Sequence, residues 1–187
     1  MSFRREYPTP VGKAYSNQVD ADNFGAVSAV VNPTIDRVYL YEVNHLAPCR
    51  AVGCSFLNSN AVGIGDEASI GLYADGYESI GLVADSGIFN IGLAGVNGMT
   101  FETFADEFII SLGRAWYAVM IDTAVQNLIG YSDVASSFRE NIGKYYDSPA
   151  GFAAGLPSQI LVADMLDVAG VGPDATFTLQ SQMRYEF

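Results

Sequence analysis

Any chemistry in this chain has to come from carboxylates and tyrosines, because the other reactive side chains are scarce. His45 is the single histidine. It has no spaced Asp and Ser partner that would complete a nucleophilic triad, so it reads as a surface or edge residue. Cys49 and Cys54 are the two cysteines. Placed in one strand they stand about 16 Å apart and on opposite faces. A disulfide tolerates only about 7 Å between Cα atoms, so both are expected as unpaired thiols. With one histidine and no second Cys pair they make no zinc set either. Gly63-Ile64-Gly65 lacks a strand-to-helix context and reads as a turn rather than a phosphate loop.

The carboxylates offer two candidate chemistries. Polysaccharide hydrolysis needs two acids about 5–10 Å apart, and Glu102 with Asp106 or Glu107, or Asp66 with Glu67, are the pairs available; the competing reading is solvated strand ends. Asp20-Ala21-Asp22-Asn23 alternates oxygen ligands as a calcium loop does. It lacks the remainder of a twelve-residue loop and its distal Glu, and a polar turn is the competing reading. No catalytic residue, resident metal or cofactor is therefore expected. The tyrosines suggest binding instead. An aromatic face stacks on a pyranose ring while a neighbouring Asp bonds its hydroxyls, which makes Tyr77 and the run Tyr145-Tyr146-Asp147, read as a loop, candidate glycan contacts. Core or interface packing is the alternative for each.

Charge narrows the partners. The net charge is −12, and phosphate binding depends on a surplus of Lys and Arg, so nucleic acid and anionic membrane surfaces are excluded as expected partners. Residues 1–20 carry Arg4, Arg5 and Lys13 against Glu6 and Asp20, a net of +1 that leaves −13 for the rest. That basic stretch is either a frayed end or a segment that docks on an acidic partner through Arg4, Arg5 and Lys13. Tyr7-Pro8-Thr9-Pro10 and Gly12 interrupt any early apolar run, so neither a signal peptide nor a membrane span is expected.

The elements that must position these residues are strands. Half of the 187 residues are apolar and only 16% are charged, with abundant Gly, Tyr and Phe, a balance that favours strands and tight turns. A chain of this length buries about 70% of its unfolded surface in one core. Residues 1–33, punctuated by Pro, Asn, Asp and Gly, read as an N-terminal arm, and residues 34–187 as one β domain. Residues 37–43 alternate with period 2. Further strands are expected at 49–57, 68–74, 80–84, 88–93, 100–104, 107–112, 124–131 and 175–187, the last interrupted near Gln182. Residues 114–122 are apolar on both alternating sets and are expected to be buried on both faces. Residues 132–157 read as irregular, and 160–166 as strand or short helix. Ser69-Ile70-Gly71-Leu72 and Ser79-Ile80-Gly81-Leu82 echo each other, as two neighbouring strands with similar packing needs would. Short strands at intervals of about ten residues indicate an all-β sandwich or barrel.

Several stretches carry a resemblance. Arg37-Val38-Tyr39-Leu40-Tyr41, Ala68-Ser69-Ile70-Gly71-Leu72-Tyr73-Ala74-Asp75-Gly76 and Leu82-Val83-Ala84-Asp85-Ser86-Gly87 resemble jelly-roll domains of tailed-bacteriophage fibre, head-fibre and capsid decoration proteins. Gly113-Arg114-Ala115-Trp116-Tyr117-Ala118-Val119 resembles that family's aromatic penultimate strand, and Gly155-Leu156-Pro157-Ser158 its late loop. Tyr77-Glu78-Ser79 stands where the family usually has Pro-Gly, and the first 33 residues are too short for a long fibre shaft. The resemblance implies an antiparallel jelly-roll sandwich in a virion structural protein: a short fibre, adaptor or decoration protein. It further implies a homotrimer, made in the bacterial cytoplasm and placed on the virion surface, whose loops contact host glycans. A stand-alone carbohydrate-binding module or β-sandwich hydrolase is the alternative.

Overall fold

The computed structural model of the chain describes residues 13–17, 27–31, 34–45, 49–58, 66–91, 98–110, 113–122, 128–133, 144–167, 176–179 and 181–186. Among these there is no α-helix, and the only helical turns are 3-10 turns at Phe152–Ala154 and Val162–Asp164. The strands are β1 (Lys13–Asn17), β2 (Val27–Val31), β3 (Arg37–His45), β4 (Cys49–Asn58), β5 (Glu67–Ala74), β6 (Ser79–Asn90) and β7 (Gly98–Ile110). They continue with β8 (Gly113–Ile121), β9 (Leu128–Asp133), β10 (Lys144–Asp147), β11 (Gln159–Leu161), β12 (Leu166–Asp167), β13 (Thr176–Leu179) and β14 (Ser181–Glu186). The all-β expectation holds.

The first sheet runs β1-β14-β4-β9-β13, with β2 on β9 and β7 on β4; the second runs β11-β6-β5-β8-β3-β10-β12. All pairings in both are antiparallel. Because β1 pairs with β14 and β2 with β9, residues 13–17 and 27–31 belong to the first sheet. Cys49 and Cys54 share β4, the single strand expected for them.

The second sheet is buried on both faces. Period-2 alternation sends Tyr39, Tyr41, Ile70, Leu72, Tyr117, Val119 and Ile121 to one side, where they pack with Ala51 of β4 and Phe104 of β7. This is the core between the sheets. The alternate set, Val38, Leu40, Tyr73, Trp116, Ala118 and Met120, faces the other way and packs against Phe152, Ile160 and Met165. Residues 115–121 are buried without exception, so the two-faced burial expected for β8 is present.

A strap made of residues 148–165 covers that second face. It leaves β10 on one flank of the sheet, reaches β11 on the other, and returns to β12 beside β10. From Leu161 to Leu166 the chain spans at most about 18 Å. Six strand spacings separate β11 from β12 in the sheet order, and laid flat these would cover about 29 Å. The sheet is therefore curled towards the strap, which closes it. Of the stretch expected to be irregular, 132–157, residues 132–133 end β9, 144–147 form β10 and 148–157 begin this cover, while residues 160–166 are strand, 3-10 turn and strand in succession.

Two expected breaks are continuous strands. Asp85-Ser86-Gly87 does not end β6 but forms a bulge within it, and β7 runs through residues 105–106 with a register shift against β4. Turn chemistry signals a departure from the regular ladder, and a bulge satisfies the same signal without ending the strand. At the C-terminal end β13 and β14 are described as two strands, and Gln182, where an interruption was expected, lies within β14.

Candidate functional site

Two bulges in β6 shape a depression under the strap. Val83 and Ala84 both oppose Leu72, and Ser86 and Gly87 both oppose Ile70. Each extra residue breaks the alternation. As a result Asp85 stands beside Gly71 and Ile88 beside Ser69, all on the strap side. The Ser86 hydroxyl accepts the Ile70 N–H at 3.2 Å and donates to the Gly87 carbonyl at 2.7 Å, so a side chain supplies the hydrogen bond that the bulge takes out of the ladder. Gly87 has φ +65 and donates its N–H to Asp85 Oδ1 at 2.7 Å. A left-handed φ of this kind favours glycine.

The strap is seated by complementary groups. A Cβ on Gly71 would lie 2.5 Å from Leu156 Cδ1, so the bare glycine is what lets Leu156 sit on the sheet. Tyr73 donates its hydroxyl to the Pro157 carbonyl at 2.7 Å, and Leu82 N–H donates to the Ser158 carbonyl at 2.9 Å. At the strap's start Asp36, at φ 67, accepts the Phe152 N–H on Oδ1 at 2.7 Å and the Ser148 N–H on its carbonyl at 2.8 Å. Burial pushes the Tyr73 hydroxyl far above the usual tyrosine value, with the nearby Asp85 charge as a second cause.

Between the strap and the bulge lies a depression of about 260 Å³, lined by Ser69, Asp85, Gly87, Ile88 and residues 153–156. Ser69 is only 1% exposed. It is one of the residues that line this space. Asp85 contributes one carboxylate oxygen beyond the one bonded to Gly87. The arrangement offers a buried hydroxyl, a carboxylate oxygen and apolar walls from Ile88 and Leu156. It brings together one carboxylate among the described residues, whereas two-acid hydrolysis requires a pair.

The residues singled out from the sequence lie elsewhere. Tyr77 is 97% exposed in the turn between β5 and β6. Tyr145, Tyr146 and Asp147 are in β10, a strand and not a loop. Arg37 makes a two-pronged pair with Asp147 at 2.7 and 3.2 Å and lies 3.8 Å above the Tyr145 ring. That pairing raises the Arg37 pKa. Tyr145 and Tyr146 pack against the opposite cores of the sheet. Three strands separate β10 from β6 in the sheet order, so these tyrosines and Tyr77 stand on different elements.

Lys13 opens β1 opposite Glu186; Arg4, Arg5, Asp20 and Asp22 lie outside the described residues. Glu102 and Asp106 are both on β7, and Glu102 accepts the Thr103 N–H beside it. Asp66 precedes β5 and Glu67 opens it, where Glu67 N–H donates to Asp122 Oδ1 at 2.9 Å. Sequence reasoning passed over Ser69, Asp85 and Leu156 as site residues. The one signal for them was the echo of Ser69–Leu72 in Ser79–Leu82, and its glycines differ: Gly71 is crowded, while a Cβ on Gly81 would meet nothing within 4 Å. No protein-family model and no curated protein matches the chain.

Proposed function

We propose that this chain is a non-enzymatic structural protein of a bacteriophage particle: a short fibre, adaptor or capsid decoration protein with a jelly-roll sandwich. It assembles as a homotrimer in the bacterial cytoplasm, attaches to other virion proteins through the basic residues Arg4, Arg5 and Lys13, and meets host glycans at the virion surface. One observation carries the reading. The stretches that resemble phage fibre and decoration domains, spread from residue 37 to residue 158, fall on four adjacent strands, β6-β5-β8-β3, and on the strap that lies over them. Scattered motifs that converge on one packed unit are what a shared fold leaves in a sequence. Exposed Tyr77, Ile109, Leu161, Val162 and Leu166 add apolar surface of the kind that protein contacts cover.

The test is the molar mass of the purified chain by light scattering after size exclusion. A stable species near 60 kDa, three times the 20.0 kDa chain, is expected; a monomer at every concentration removes the trimer. Deleting residues 1–12, which removes Arg4 and Arg5 and leaves β1 with Lys13 in place, is expected to weaken attachment to the particle while the protein stays folded. Release of reducing ends from a polysaccharide would establish the hydrolase alternative instead.

A further inference from the structure

We propose that the depression between the β6 bulge and the strap is a subsite for one neutral sugar ring. The inference rests on the glycan-contact part of the reading above, and moves the contact away from β10 to Ser69 and Asp85. Three observations carry it. Ser69 is 1% exposed and lines the depression, so its hydroxyl is offered there in a fixed place. Asp85 stands beside it with one oxygen already held by the Gly87 N–H, which fixes the direction of the other. Ile88, 40% exposed, and Leu156 supply apolar walls for the C–H face of a ring.

Size and charge select the ligand. At about 260 Å³ the depression is smaller than the roughly 300–1,000 Å³ sites of drug-sized ligands, and suits a single ring rather than an oligosaccharide. A net charge of −12 and the Asp85 carboxylate disfavour uronic or sialic acids. A neutral hexose brings hydroxyl donors for Asp85, and both donors and acceptors for Ser69. The competing occupant is a primary ammonium. It would be served by one carboxylate alone, and the small residues Gly87, Ala153, Ala154 and Gly155 leave a width that an ammonium does not use.

The test uses the full chain and ligand-observed NMR with glucose, galactose, N-acetylglucosamine and rhamnose, beside methylamine. One of the sugars is expected to bind saturably, with the millimolar Kd usual for so small a ligand. Asp85→Asn, which keeps an acceptor for the Gly87 N–H, and Ser69→Ala are each expected to weaken it about tenfold, the loss of one hydrogen bond to a charged or buried group. Tyr77→Ala and Tyr146→Phe are expected to leave it unchanged. Matching urea midpoints confirm that the variants fold, and Ala154→Trp, at an exposed strap position, blocks the depression independently. Saturable sugar binding insensitive to Asp85→Asn, Ser69→Ala and Ala154→Trp overturns the subsite while leaving glycan contact in place. Binding of methylamine in preference to the sugars overturns the choice of ligand. If no sugar binds, a polysaccharide array separates the cases: binding there retires this subsite alone, and its absence retires glycan contact as well.

Discussion

The two faces of the curled sheet are both buried, but they are held by different means. Between the sheets, packing is almost wholly apolar, and among the described residues one buried hydroxyl, that of Tyr41, is left without a partner. Under the strap the polar groups are answered: Tyr73 by the Pro157 carbonyl, Trp116 Nε1 by Asp75 at 3.0 Å, and the Phe152 N–H by Asp36. A sheet satisfies its own backbone through its ladders and can cover a neighbour with side chains alone. A strap has few ladder bonds, so side chains beneath it must supply acceptors and donors or its backbone is stranded. The lesson is that hydrogen bonds matter most where the covering element is least regular.

The largest test of that contrast is Trp116→Ala. Trp116 is 7% exposed, belongs to the core under the strap, and donates to Asp75, which also pairs with Arg114 at 2.9 Å. Truncating a buried aromatic of this size costs about 3–5 kcal/mol. A urea midpoint shifted by that amount confirms that the strap face is a true core; a shift near zero would mean that the strap covers the sheet without packing on it.

Gly71→Ala is expected to come next, at about 1–3 kcal/mol, the usual cost of overpacking. The added methyl would meet Leu156 Cδ1 at 2.5 Å and Leu82 Cδ1 at 3.0 Å. Leu156 must move, so the loss of stability is expected together with new proteolytic cleavage in residues 148–158. Gly81→Ala has open space and serves as the control. If both substitutions behaved alike, strap seating would not depend on the bare glycine.

How far the sequence anticipated this division depends on which element made the pattern. β8 was legible because strand periodicity with both residue sets apolar has one physical outcome, burial from two sides. The strap was not legible. Residues 148–167 carry no period, since their extended backbone is imposed by Gly71, Tyr73 and Asp36 from elsewhere in the chain. The bulge at Asp85-Ser86-Gly87 read as a turn, because Asp and Gly favour both. For the site, Tyr145-Tyr146-Asp147 had the right chemistry for sugar, but strand pairing of β10 with β3 brought Arg37 onto it. For Ser69 the only signal was its place in the Ser69–Leu72 echo, because what sets it apart is the bulge of β6 opposite it.

Asp36→Ala sharpens the contrast at the start of the strap. It removes the acceptor of the Phe152 N–H and places alanine at φ 67. A loss of about 1–3 kcal/mol is expected, typical of stranding a buried donor. Asp36→Asn keeps an acceptor and tolerates the left-handed backbone, so it is expected to retain most of the stability. Equal loss in both variants would point to the carboxylate charge rather than the hydrogen bond.

Tyr41→Phe is the smallest test and the only one expected to reverse sign. Deleting a buried hydroxyl that bonds nothing removes a desolvation penalty, so stability at pH 7 is expected to be unchanged or higher by up to about 1 kcal/mol. The pH dependence isolates the cause. Burial, and then the neighbouring Tyr39, hold the Tyr41 ionisation well above its usual value, while in the unfolded chain it ionises near pH 10. Below that pH both states keep the proton and nothing is lost. Above it the unfolded state releases a proton that the folded state retains, and stability falls by about 1.4 kcal/mol per pH unit for this residue until the raised folded value is reached. The variant lacks that slope, so its advantage over the parent should widen from pH 10 to pH 11 in urea titrations. A constant difference across that range would mean that Tyr41 ionises as readily folded as unfolded, with its hydroxyl reached by water, and would erase the contrast between the two faces.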